Sequence, residues 1–218
     1  KLKKLWKRLE ETRASIVPYT DPVVKYHAKY LVVDDGPALI TSMNFTRKCF
    51  DNTCDAVAVT YDPAIVDGPL QLAATDRECG LASSTLPDRL IVGPERARRQ
   101  FTALVQQARK RIQIIDAKLS DPGLIDLLNQ RRSQGISVEI FGQKRLGTLL
   151  SHGKMMLVDG EGAVIGSLAL TALSLDFRRE VALVVEEAAA VAELDQLFRS
   201  IGAAVSPTDT SAATAGGA

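Results

Sequence analysis

Residues 27–60 align with residues 152–185 without a gap, at an offset of 125 positions and with ten identities. They are His27/His152, Lys29/Lys154, Val33/Val158, Asp34/Asp159, Ala38/Ala163, Ile40/Ile165, Ser42/Ser167, Thr46/Thr171, Asp51/Asp176 and Val59/Val184, and Asp55 falls on Glu180. A unit present twice predicts two similar half-domains sharing one architecture. The apolar identities follow from a shared sheet; His, Lys and Ser do not. The chain has two histidines, and each begins the pattern His-x-Lys-x4-Asp, with a serine fifteen residues further on. In extended backbone, residues i and i+2 point to the same side, so each repeat aims an imidazole and an ammonium at one place.

Face to face, the two repeats offer two imidazoles, two ammonium groups and the hydroxyls of Ser42 and Ser167. Ammonium and hydroxyl groups are donors for oxyanions, and a phosphoryl group with charged oxygens suits a ring of them. One imidazole can attack phosphorus while the other protonates the leaving oxygen. The motifs include neither the paired carboxylates of a glycosidase nor the ligand cluster of a two-metal phosphatase, which argues against both classes.

HAKYLVVD (residues 27–34) with TSMN (residues 41–44), and HGKMMLVD (residues 152–159) with GSLA (residues 166–169), resemble the two HxKx4D(x6)GSxN motifs of the phospholipase D superfamily. The resemblance implies an α/β fold: two α/β/α halves with mixed, mainly parallel sheets, one active site between them, and neither metal nor cofactor. It implies His27 as the nucleophile that forms a phosphohistidine and His152 as general acid and then base. Lys29, Lys154, Ser42, Asn44 and Ser167 match the phosphate-binding set. Asp34 and Asp159 match motif aspartates with a structural role. Asp55 and Glu180, each 28 positions after a histidine, match the acidic residues that orient the imidazoles, and equal spacing predicts that each serves the histidine of its own repeat. Two departures stand out: Thr41 in place of Gly, and Ala169 in place of Asn, which removes an amide donor. Arg178 and Arg179 are the nearby candidates to replace it.

The implied substrate is a phosphodiester, preferentially of phospholipid type. A nucleic-acid strand is the alternative, as is a catalytically weak relative that binds phosphate esters or a protein. The 27 basic and 26 acidic residues nearly cancel and only eleven residues are aromatic, which is little support for a strand-tracking groove. Against the lipid reading, no apolar insertion interrupts either motif. No run of eighteen apolar residues occurs. Cys49, Cys54 and Cys79 are odd in number and form no CxxC, which argues against a disulfide framework or a structural zinc site and fits a reducing, cytoplasmic compartment without requiring one. Oligomeric state is left open.

Along the chain, residues 1–11 place Leu2, Leu5, Trp6 and Leu9 on one helical face opposite lysines and arginines. Extended runs follow at 14–17, 30–33, 38–41 and 56–61, and a helix after Asp62-Pro63 is expected to break at Gly68-Pro69. Strands at 90–92, 112–115 and 138–141 alternate with helices opening at Pro94 and Asp121, a pattern of parallel pairing. Strands at 155–158, 163–166 and 181–185 and a helix carrying Val191, Leu194, Phe198 and Ile201 complete the series. The expected units are a first half (1–79), a linker (80–88), a second half (89–205) and a disordered tail (206–218). Residues 89–151, 63 in all, precede His152, whereas 26 precede His27, so the first half is expected to be incomplete at its N-terminus.

Overall fold

A computed structural model describes residues 2–34, 36–142 and 145–204; residue 205 and the expected tail at 206–218 lie outside the described residues. The first repeat region holds α1 (Leu2–Glu11), β1 (Lys25–Tyr26), β2 (Tyr30–Val32), β3 (Ala38–Thr41), α2 (Arg47–Asn52), β4 (Thr53–Cys54), β5 (Val57–Thr60) and α3 (Pro63–Arg77). Next come β6 (Leu90–Gly93), α4 (Ala97–Gln107), β7 (Arg111–Ile115), α5 (Pro122–Ser133), β8 (Ser137–Phe141), β9 (Arg145–Leu146) and β10 (Leu149–Ser151). The second repeat contains β11 (Met155–Val158), β12 (Gly162–Gly166), α6 (Ala172–Phe177) and β13 (Arg178–Val185), and α7 (Ala188–Ala204) follows it.

The fold is mixed α/β. One sheet runs β1-β13-β12-β11-β7-β8, with β6 also on β13; a second is β2-β3-β5, and a third is β4-β10-β9. Expected parallel pairing in the large sheet is confined to β7·β8 and β1·β13; β7·β11, β11·β12, β12·β13 and β13·β6 are antiparallel. Among the described residues, only the β7-α5-β8 segment is a crossover joining neighbouring strands, whereas β11 and β12 meet through a short turn. At the head of each such turn, Asp34 and Asp159 share a left-handed backbone, φ 49° and 57°. The Asp159 carboxylate accepts the N–H groups of Arg109, Lys110 and Arg111 at 2.8, 2.7 and 2.9 Å, tying the turn to the start of β7.

Both faces of the large sheet are covered. On one, α4 and α5 bury Phe101, Val105, Leu124 and Leu128 against Ile112, Ile114 and Met156. On the other, Ile40 and Ala58 of the first repeat and Phe198 of α7 pack on Ile165, Val181 and Leu183. The repeats are thus joined by a common apolar layer.

Local expectations gave way in three places. Residues 14–17 form no strand, having no ladder partner. Helix α3 runs through Gly68-Pro69 unbroken, because Asp62 caps it, accepting the Ala64 N–H at 3.0 Å, and Ile65 and Leu72 are buried in the core. Their burial outweighs the one bond that proline cannot make. Pro94 lies in a turn, and α4 starts at Ala97.

Residues 80–88 carry no helix or strand, yet they are tied down. Arg179 is buried, and its guanidinium donates to Asp76 at 2.8 Å, to Glu95 at 2.7 and 3.0 Å, and to the carbonyls of Gly93 and Gly80 at 2.8 and 3.1 Å. Burial pushes the Asp76 carboxyl up to about 6 despite this cation. Arg96 holds the same segment through the Leu86 carbonyl at 2.8 Å and Asp88 at 2.9 Å. Truncating Arg179 to Met should strand two acids without a partner and cost about 3–5 kcal/mol. The measurement is the urea midpoint at neutral pH; an unchanged midpoint would show that the clamp holds nothing together.

Candidate active site

Each histidine follows a short strand, β1 of two residues or β10 of three, and two residues of each pair across the repeats. Lys25 and Tyr26 of β1 lie parallel to Arg178 and Arg179 of β13; Leu150 and Ser151 of β10 lie parallel to Thr53 and Cys54 of β4. These registers are the same register shifted by 125 positions, the offset of the sequence repeat. In register, the residue after β1 is His27 and its neighbour is Glu180; the residue after β10 is His152 and its neighbour is Asp55.

The carboxylates therefore cross. His27 Nδ1 lies 3.0 Å from Glu180 Oε2, and His152 Nδ1 lies 2.9 and 3.1 Å from the Asp55 oxygens. This corrects the expectation that each acid serves the histidine of its own repeat. Spacing identifies equivalent residues, but strand register decides which copy they meet.

Lys29 and Lys154 fold back on the histidines two positions before them, donating to the His27 and His152 carbonyls at 2.5 and 2.6 Å. Lys29 Nζ also stands 3.1 and 3.2 Å from the His27 ring nitrogens. Burial disfavours both ammonium ions, lowering Lys29 to about 8 and Lys154 below its ordinary value. Burial raises the Asp55 carboxyl, but hydrogen bonds from His152, Thr53 and Ser42 outweigh it and hold the group below its usual range.

The serines lie behind the site. Ser42 and Ser167 are buried, and their hydroxyls accept the Ala56 and Val181 N–H groups at 3.0 and 3.1 Å, again at equivalent positions. Ser42 donates to Asp55 at 2.7 Å, and Ser167 donates to the Val181 carbonyl at 3.3 Å. In this structure they brace the strands that bear the carboxylates. Thr41 fits where Gly166 stands in the other repeat because the backbones differ in crowding. A Cβ on Gly166 would meet the Val181 carbonyl at 2.3 Å.

Asymmetry appears at the amide. Asn44 Nδ2 lies 3.4 Å from His152 Nε2, whereas its equivalent on the His27 side is the buried Ala169. Arg179 is spent in its clamp, but Arg178, about a quarter exposed, stands 4.0 Å from Glu180. Sequence reading missed three supporting groups. Thr53 donates to Asp55 at 2.5 Å and Ser174 to Glu180 at 3.0 Å; the buried Asp116 accepts the N–H groups of Leu170 and Lys118 at 2.7 and 2.8 Å. Thr53 faces Arg178 and Ser174 faces Cys49 in the repeat alignment, so identity could not flag them. Among the described residues, one trio has metal-ligand chemistry: Cys49, Asp55 and His152, with ligand atoms within 4.8 Å of one another.

The family model described as cardiolipin synthase, PLD-like domain, matches residues 1–71 and 141–201, which include both histidine motifs. Polyphosphate kinase from Porphyromonas gingivalis superposes on 90% of this chain and 36% of its own, with a TM-score of 0.73 and 18% identity. Phosphatidylserine synthase from Haemophilus influenzae Rd KW20 superposes on 81% of this chain and 62% of its own, with a TM-score of 0.62 and 13% identity. The chain spans about a third of the kinase and under two thirds of the synthase, and the likeness is one of fold. No curated protein matches the sequence.

Crossed pairing has a direct spectroscopic consequence. Glu180→Gln should shift the imidazole nitrogen resonances of His27 and leave those of His152 in place, and Asp55→Asn should do the reverse. Nitrogen-15 NMR of the two side chains reads this; perturbation within the same repeat would contradict the pairing.

Proposed function

This chain belongs to the phospholipase D-like domain family, and on that premise we propose that it is a metal-independent phosphodiesterase acting on a phospholipid-type phosphodiester through a phosphohistidine. At the level of the superfamily the chemistry is phosphoryl transfer. The observation that carries the specific reading is the pair of imidazoles, each held at Nδ1 by a buried carboxylate from the other repeat. With Nδ1 occupied, Nε2 is the reactive nitrogen on both rings.

His27, its side chain 37% exposed against 25% for His152, is the nucleophile. Its Nε2 forms a bond to phosphorus, the bond from phosphorus to the departing ester oxygen breaks, and that oxygen takes the Nε2 proton of His152. Water or an alcohol then gives a proton back to His152 and attacks phosphorus, and the P–N bond breaks. Glu180 and Asp55 stabilise the imidazolium that forms beside each of them. Lys29 and Lys154 leave their carbonyl partners for the non-bridging oxygens, and the Asn44 amide serves the His152 side.

Apolar residues around the repeats favour a lipid. Phe45, Phe50, Leu173 and Phe177, on or beside the short helices α2 and α6 that follow the two serine segments, are each about half exposed or more. They supply an apolar rim without the insertion that the motifs lack. The description of the matching family as a cardiolipin synthase domain supports the same substrate class.

His152→Asn is expected to lower turnover about 10²- to 10⁴-fold. His27→Asn should abolish the acid-labile phosphoryl or phosphatidyl adduct that rapid denaturation traps on the wild type. Head-group release from mixed phospholipid vesicles, run beside cleavage of single-stranded DNA, tests the substrate; cleavage of DNA alone would reverse it. The alkaline limb of kcat/KM should fall near pH 8, where Lys29 loses the proton that makes it an anion ligand. Lys29→Arg should move that limb to higher pH, since a guanidinium stays charged.

A further inference from the structure

We propose that Cys49, Asp55 and His152 form a binding site for a soft divalent cation of the zinc class, and that a cation held there silences His152. The binding rests on the geometry of the trio; the silencing rests on the function proposed above.

Cys49 Sγ, an Asp55 oxygen and a His152 ring nitrogen lie within 4.8 Å of one another. A tetrahedral zinc ion with bonds of about 2.0–2.3 Å sets its ligands about 3.3–3.8 Å apart, so a closure of about 1 Å completes three corners. The mixed sulfur, oxygen and nitrogen set suits zinc and its neighbours over magnesium or calcium, which take oxygen ligands. Access is present: a cavity of about 300 Å³ is lined by Asn44, Thr46, Lys48, Cys49, Ser151 and His152. It leads to a thiol that is otherwise buried.

The second repeat supplies an internal control. At the position equivalent to Cys49 stands Ser174, whose hydroxyl donates to Glu180 at 3.0 Å. A hydroxyl at that place completes the hydrogen bonding of the carboxylate and offers no soft ligand. The substitution of sulfur for oxygen is one of the differences between the two half-sites, and it makes the trio specific to the His152 side.

On binding, the Cys49 thiol and Nδ1 of the doubly protonated His152 ring each give a proton to solvent and bond the metal, leaving the ring protonated at Nε2. Water fills the fourth position. Asp55 now neutralises the metal and no longer stabilises an imidazolium. The ring can neither gain a second proton nor readily surrender the one it holds, so acid and base steps both stop.

Cobalt(II) titration of the intact protein reads the site directly. A cobalt–thiolate charge-transfer band should appear with one equivalent, persist in Cys54→Ser and Cys79→Ser, vanish in Cys49→Ser, and be displaced by zinc. Cys49→Ser recreates the residue found at 174 and is expected to fold. Zinc should inhibit the wild type, excess chelator should restore it, and Cys49→Ser should need at least the about 10- to 100-fold more zinc that loss of an outer-shell partner costs other sites. Absence of the band in the wild type, or its survival in Cys49→Ser, overturns the site. A band without inhibition overturns the silencing. The band is read with or without turnover, so failure of the site and failure of the proposed activity are separate results.

Discussion

Two parallel pairings, each only two residues long, set the geometry on which the site depends. Lys25–Tyr26 against Arg178–Arg179, and Leu150–Ser151 against Thr53–Cys54, deliver each histidine to the carboxylate of the opposite repeat. Pairings so short cannot sustain themselves. They persist because the strands beyond them are anchored: β13 continues into the large sheet, and the apolar layer containing Ile40, Ile165 and Leu183 presses the two repeats together. Core packing and imidazole orientation are therefore one problem.

The electrostatics follow from the same confinement. Two ammonium groups, two buried carboxylates and two imidazoles are gathered where solvent is partly excluded. Burial works against the lysines, which donate to the carbonyls of the histidines two places before them, with the His27 ring also beside Lys29. A neutral carbonyl compensates an ammonium poorly, and this is the physical ground for the anion-binding role proposed for both lysines.

Much of this was legible before any coordinates. The offset of 125 pointed to the histidines and lysines, and alternation of apolar residues located most strands of the second repeat. Much of what escaped detection depended on contacts between residues far apart in the chain. The crossed partners of His27 and His152 are set by register between strands more than ninety residues apart. Ser42 and Ser167 have the chemistry of phosphate donors, and only burial shows their hydroxyls committed to Ala56 and Val181. Pro69 reads as a helix breaker until Ile65 and Leu72 are seen in the core. The trio of Cys49, Asp55 and His152 has no local signature, since its members come from both repeats.

Crossed wiring also bears on how such a chain diverges. In a symmetric ancestor made of two identical units, every substitution would appear on both sides of the site at once. Joining the copies in one chain releases that coupling, and some of the differences now present fall beside the two histidines and their carboxylates. Asn44 faces Ala169, Thr53 faces Arg178, and Cys49 faces Ser174. Each half-site remains answerable to the other for its carboxylate, yet each has its own neighbours, so a change on one side of the site need not be matched on the other.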